Sequence, residues 1–190
     1  MKLKEIAIVK TGLILSRKMS ANYEKSCKYH QLTLKAVDNS GLIDINNLNC
    51  YYAREELSSN YITQKDDVIM KLVEPYTAFC IQEKNAGLVI PSHFVIIRID
   101  KNKAIPEYIA WYLNRENIKK YFRMSCAGTL MQIKPTIVAN ADIKLPDIKK
   151  QMEVVRICKS SEKELMLYEK LINEKKAYYT MMLNKINEMR

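Results

Sequence analysis

The chain has 190 residues, 31 basic against 21 acidic side chains, a net charge of +10 and 48% hydrophobic residues, enough for one sizeable core plus an appended element. Four glycines and five prolines exclude a collagen-like or low-complexity chain. No run approaches the ~20 consecutive apolar residues of a membrane helix, and the opening Met1-Lys-Leu-Lys-Glu-Ile-Ala-Ile-Val-Lys10 is too charged, and too short in its apolar part, for a secretory signal.

A soluble, cytoplasmic protein is therefore expected. Cys27, Cys50, Cys80, Cys126 and Cys158 are odd in number and scattered, giving neither a paired framework nor a CxxC metal site, so they read as reduced thiols. From Asp147 onward there are ten basic and seven acidic side chains, which leaves +7 of the charge on residues 1–146. A basic globular part favours an anionic partner, with nucleic acid first and a membrane surface second.

Leu3, Ile6, Ala7 and Ile8 predict a short opening helix that stops near Thr11-Gly12. The stretch Leu15–Lys28 is polar and basic and reads as an exposed loop, in which Arg17 and Lys18 face either phosphates or solvent. A strand is expected over Tyr29–Val37, with Asp38-Asn39-Ser40-Gly41 as the turn that folds Leu42–Ile45 back on it. Residues 46–60 look irregular. Val68–Val73 and Thr77–Ile81 form a predicted strand pair around Glu74-Pro75-Tyr76, and Leu88–Ile90 and Phe94–Ile99 are rich in β-branched residues suited to a buried sheet.

Pro106 suits the first turn of a helix carrying Tyr108, Ile109, Trp111, Tyr112 and Leu113. A second helical piece runs through Ile118, Tyr121 and Phe122 and ends before Ser125. Gly128–Pro135 is read as a loop and Ala141–Leu145 as a last strand, with Asp147 placed as an N-terminal helix acid. From Gln151 onward there is neither Gly nor Pro. Leu165, Tyr168, Ile172, Tyr179, Met182, Ile186 and Met189 fall in alternating steps of three and four, with Lys175 the one polar residue in that register. Such a seam fits either a helix packed on its own domain or an arm for dimerisation or spacing. The fold class is α+β: a globular part, residues 1–146, with a mainly antiparallel sheet and peripheral helices, then a long coiled-coil-type helix over 147–190.

No GxxxxGK[ST], GxGxxG, HExxH or GxSxG motif occurs. His30 and His93 have no Cys or carboxylate at metal spacing, and Glu74-Pro75-Tyr76 lacks the residues that would make its Pro-Tyr end a methyltransferase motif. A binder without catalytic, metal or cofactor residues of its own is expected.

Several stretches taken in order resemble the target-recognition domain of type I restriction-modification specificity subunits. They are Lys2–Ala7 with Gly12, Leu34-Lys35 before Gly41–Asp44, Asp67–Met70, Ile90–Ile96 and Pro106–Leu113. The resemblance is strongest where Gly128-Thr-Leu-Met-Gln-Ile133 precedes Ile143-Lys-Leu-Pro-Asp-Ile-Lys-Lys-Gln151 and a long helix. Asp147, Lys150 and Lys65 depart from the residues usual at those points.

The resemblance implies that full-length subunits hold two such domains and two antiparallel helices, so that this chain, with one of each, forms an antiparallel homodimer and reads a split palindrome on double-stranded DNA. It also implies methyltransferase subunits as partners and, in a complete enzyme, the restriction translocase subunit, which together would carry S-adenosylmethionine, ATP and magnesium. Leu167, Leu171 and Tyr178, outside the seam, either form that docking surface or widen the stripe that faces the home domain. Candidate DNA contacts are Arg17, Lys18, Lys35, Asn39, Tyr76, Ser92, His93, Thr129, Gln132 and Lys134, chosen as loop residues around the sheet able to meet phosphates or base edges. Two other readings stay open: a coiled-coil interaction protein with incidental basic charge, and a piece of a restriction enzyme whose catalytic parts lie elsewhere.

Overall fold

A computed structural model describes residues 1–21, 26–126 and 132–188. The chain divides into two units, Met1–Met152 and Glu153–Arg190.

The first unit is built on two sheets. Strands β1 (Ala7–Thr11), β4 (Val68–Lys71), β5 (Ala78–Cys80) and β7 (Phe94–Ile99) form a four-stranded sheet in the order β1-β7-β4-β5, antiparallel throughout. Strands β2 (Cys27–Gln31), β3 (Asn49–Ala53) and β6 (Leu88–Val89) form a three-stranded sheet in the order β3-β2-β6. Helices α1 (Pro106–Leu113), α2 (Glu116–Met124), α3 (Pro135–Ala139) and α4 (Ile148–Glu188) follow.

Every residue of β4 is buried, as are the first four of β7, because both faces of these central strands are covered. On one face the paired residues Ile69, Phe79 and Ile96 pack with Phe94, Leu32, Ala36 and Val37, and α1 also packs against β4 and β5. This explains why these strands read as continuous apolar runs. The smaller sheet alternates: Tyr29, Tyr51 and Ala53 turn into a cluster with Leu13, Leu57 and Val89, while Lys28, His30 and Cys50 point outward.

Two glycines are required where the chain closes tightly. A Cβ on Gly12 would lie 2.1 Å from the Pro91 carbonyl oxygen, at the point where the Gly12 and Leu13 N–H groups bond Phe94 and Ile90. Gly41 has φ +88 and sits against Phe79. It closes the expected turn, whose Asp38 carboxylate accepts from the Ser40 N–H, the Ser40 hydroxyl and the Leu42 N–H.

Several expectations are corrected. The opening helix is one 3-10 turn, Leu3–Glu5. Only Leu3 and Ile6 are buried, one turn suffices for that, and the residues after them gain more by pairing with β7. The strand expected to Val37 stops at Gln31, where the Thr33 hydroxyl accepts the Ala36 N–H at 3.0 Å and bends the chain. Leu42–Ile45 returns only as one bridge, Val37 to Ile43. The supposedly irregular 46–60 contains β3. The last strand is a single bridge, Lys2 to Asp142, reinforced by their 2.7 Å ion pair. Helix α3 opens on Pro135, where no helix is expected from the sequence.

Asp147 does cap α4, accepting the Lys150 N–H at 3.0 Å, and that bond holds its carboxyl below the usual range. The first turn belongs to the domain because Gln151, 1% exposed, accepts the Ile105 N–H at 2.9 Å and donates to the Pro146 carbonyl at 2.8 Å. In the second unit, α4 is exposed from Lys159 to Glu188. None of the helices described is long and apolar enough to cross a membrane.

Candidate nucleic-acid interface

The strands deliver polar side chains to an open groove of about 470 Å³ at one end of the β2–β3 pair. It is lined by Gln31, Thr33, Leu34, Lys35, Asn46, Asn47, Asn49 and His93. Its walls are held by local hydrogen bonds. Asp44 accepts the Asn46 N–H at 3.0 Å and the Asn47 amide at 2.7 Å, and the Thr33 hydroxyl donates to the Asn47 carbonyl at 2.8 Å, tying the two walls together.

Below this region Lys71, 6% exposed, donates to the Val37 carbonyl at 2.5 Å. Burial lowers its pKa against the opposing pull of Asp38. A buried cation thus braces the segment that carries Lys35 and the Asp38 turn.

His93 enters the groove beside Phe94, ring centroids 4.9 Å apart. Its Nε2 is buried without a hydrogen-bond partner, and burial depresses its pKa. The His93 carbonyl accepts the Leu72 N–H, and the Leu72 carbonyl in turn accepts the Ile133 N–H, both at 2.9 Å. The chain at 132–134 is thereby tied through Leu72 to the His93 corner, and Gln132 bridges Val73 beside it. Among the described residues no cluster of His, Cys, Asp or Glu is disposed to hold a metal ion. The chemistry here is hydrogen bonding and charge.

A family model for the type I restriction modification DNA specificity domain matches residues 1–177. The chain belongs to that family.

Two solved structures share the fold of this specificity domain. One is the HsdS subunit from Thermoanaerobacter tengcongensis, with TM-score 0.67 and 16% identity over 90% of this chain. The other comes from a structural study of complex assembly and conformational transition of the type I R-M system, with TM-score 0.66 and 15% identity over 90% of this chain. The chain spans 43% of the length of each of them. No curated protein matches it in sequence.

The specificity domain brings together only some of the residues singled out from its sequence. Lys35 and His93 share the groove, Ser92 adjoins it in the chain, and Gln132 and Lys134 are exposed on the segment tied to Leu72. Asn39 is exposed in the Asp38 turn.

Arg17 and Lys18 sit at the other end of the β2–β3 pair, where Met19 bridges Ala53 and the Lys18 carbonyl accepts the Arg54 N–H. Four strand steps separate the ends, about 13 Å. Arg17 is exposed, whereas Lys18 is ion-paired with Glu55.

Tyr76 is a correction. It is fully buried, edge-on to Phe122 at 5.9 Å, with its hydroxyl 3.0 Å from the Cys126 sulfur. Burial raises its pKa. Its φ of 55 turns the ring inward from the loop instead of presenting it to a ligand.

Thr129, like Met189 of the helix seam, lies outside the described residues. Leu165, Tyr168, Ile172, Tyr179, Met182 and Ile186 all lie on α4 and are exposed, as are Leu167, Leu171 and Tyr178.

Sequence reasoning missed Gln31, Thr33, Asn46, Asn47 and Asn49. The available signal was the run of three asparagines in 46–49 beside a turn, residues able to present both a donor and an acceptor.

Proposed function

We propose that this chain is a sequence-reading, non-catalytic component of a type I restriction-modification system. Two copies pair antiparallel through α4 and present two recognition domains to inverted half-sites of double-stranded DNA. Methyltransferase subunits, and the restriction translocase where one exists, bind this dimer and carry S-adenosylmethionine, ATP and magnesium themselves.

One observation carries the pairing. The seam on α4 is exposed, with Ile172 at 52%, Tyr179 at 57% and Ile186 at 64%, and its positions are symmetric about residue 177. A second, inverted copy therefore sets Tyr168 beside Ile186, Ile172 beside Met182, and Lys175 beside Tyr179. This register accommodates the polar residue of the seam, since an ammonium over a tyrosine ring is attracted by it. A parallel partner in register would instead set the two Lys175 ammonium groups against each other. A 41-residue helix is about 60 Å long, which suits half-sites on the order of one DNA turn apart, about 34 Å.

Sequence reading is supported by the family, by the net charge of +10 and by the polar groove. Lysines and arginines supply salt-dependent affinity, and groove side chains supply choice of sequence. Hydroxyl-radical footprinting of the full chain on a duplex selected from a random pool tests this. The expected pattern is two inverted protected tracts about one turn apart, and a single continuous asymmetric tract contradicts it.

A further inference from the structure

Amides make up most of the polar lining of the groove. Gln31 and Asn49 are partners in the β2–β3 register, so their Cβ atoms stand on one face about 5 Å apart. One pair further along that face Tyr29 and Tyr51 are core residues. At the last pair the core has ended, leaving Gln31 half-buried and Asn49 exposed. Asn46 adds a third carboxamide to the lining. Among the described residues no side-chain hydrogen bond engages the carboxamides of Gln31, Asn46 or Asn49, whereas Asn47 is already fixed by Asp44.

A phosphate subsite would concentrate cations, but this groove has one, Lys35, beside uncharged amides. A carboxamide places a donor and an acceptor side by side, the complement of the N7 acceptor and N6 donor that adenine shows in the major groove. Successive base pairs lie 3.4 Å apart along a strand, within reach of two amides about 5 Å apart.

We propose that Gln31 and Asn49 read adenine, in the same or neighbouring base pairs, and are specificity-determining residues of the recognition domain. Lys35 contributes to affinity at a flanking phosphate or guanine. This inference rests on the DNA-reading function proposed above.

The test selects duplexes from a random pool with the full wild-type chain and with Gln31→Ala, Asn49→Ala and Asn49→Asp. The wild-type motif should contain an adenine whose replacement by 7-deazaadenine weakens binding about tenfold. In the alanine variants that position should accept other bases and lose the 7-deazaadenine effect, while the rest of the motif and the salt dependence persist. Asn49→Asp keeps the shape but removes the donor, and a carboxylate accepts from cytosine N4, so its motif should change from adenine to cytosine there. That gain cannot come from misfolding. Variants that all select the wild-type motif with the same 7-deazaadenine sensitivity overturn the inference and leave the DNA-reading function standing. A wild-type chain that selects no motif removes both.

Discussion

Replacing Gln151 with alanine removes two hydrogen bonds that fasten the first turn of α4 to the recognition domain. The side chain is 1% exposed and joins the Ile105 N–H, at the start of α1, to the Pro146 carbonyl. A satisfied bond is worth about 1 kcal/mol, and a backbone group left without a partner costs about 1–3 kcal/mol. Ile105 and Pro146 are half-buried, so water partly replaces the lost partner and the expected loss is about 2 kcal/mol. Trp111, the one tryptophan, lies on α1 and reports unfolding of this unit by fluorescence in urea. The midpoint should fall with an unchanged slope.

Gln151→Leu should cost a similar amount although it keeps the volume, which separates bonding from packing. Gln151→Glu adds a sign. Burial raises the carboxyl's pKa in the folded state, so the protonated form, which still donates to Pro146, gives its full stability below the unfolded pKa of about 4.3 and loses it as pH rises through the folded value. A change under about 0.5 kcal/mol in both Gln151→Ala and Gln151→Leu refutes the reasoning.

Asp67→Asn should destabilise by about 3–5 kcal/mol. Asp67 is nearly buried, accepts from the Gln64 N–H, and meets the Arg98 guanidinium at 3.1 Å; denaturation equal to wild type within error rejects this. His93 is held neutral by burial. As pH falls below about 6.5 the unfolded chain takes up a proton there that the folded chain does not, so stability is full above that pH and drops as pH falls toward the folded pKa. His93→Gln should flatten this part of the urea-midpoint profile, and identical profiles from pH 7.5 to 5 contradict the assignment. Arg17→Ala should weaken DNA binding more than Lys18→Ala, because Glu55 already neutralises Lys18, and should lower the salt slope by about one. Equal binding of Arg17→Ala and wild type across a salt series removes Arg17 from the interface.

The parts legible in the sequence were those decided locally. Strands β4, β5 and β7 combine β-branched and aromatic residues with burial on both faces, and α1 opens on Pro106, so composition alone marked them. What escaped was decided at long range. Strand β1 carries Ile8 exposed and exists because β7 pairs with it. Strand β3 hides among asparagines, and the separation into two sheets depends on β2 pairing with both β3 and the distant β6. Tyr76 follows a proline turn, and nothing local says whether such a ring faces solvent or the core. Gln151 was visible as part of a family pattern, but its reason, a bond to Ile105 some 46 residues earlier, needed the fold. The groove was half legible: Lys35 and His93 were singled out, and Gln31 lay in an expected strand without drawing notice, while Asn49 stands on β3, which local patterning did not show.

The central claim is that two copies pair antiparallel along α4, and a disulfide map tests it most directly. Ile172→Cys and Met182→Cys chains are mixed, oxidised and mapped by peptide mass, so that native cysteines are told apart from the new ones. The symmetric seam predicts a bond between position 172 of one copy and 182 of the other, with little 172–172 product. Chains that stay monomeric at micromolar concentration, or that link 172 to 172, contradict it.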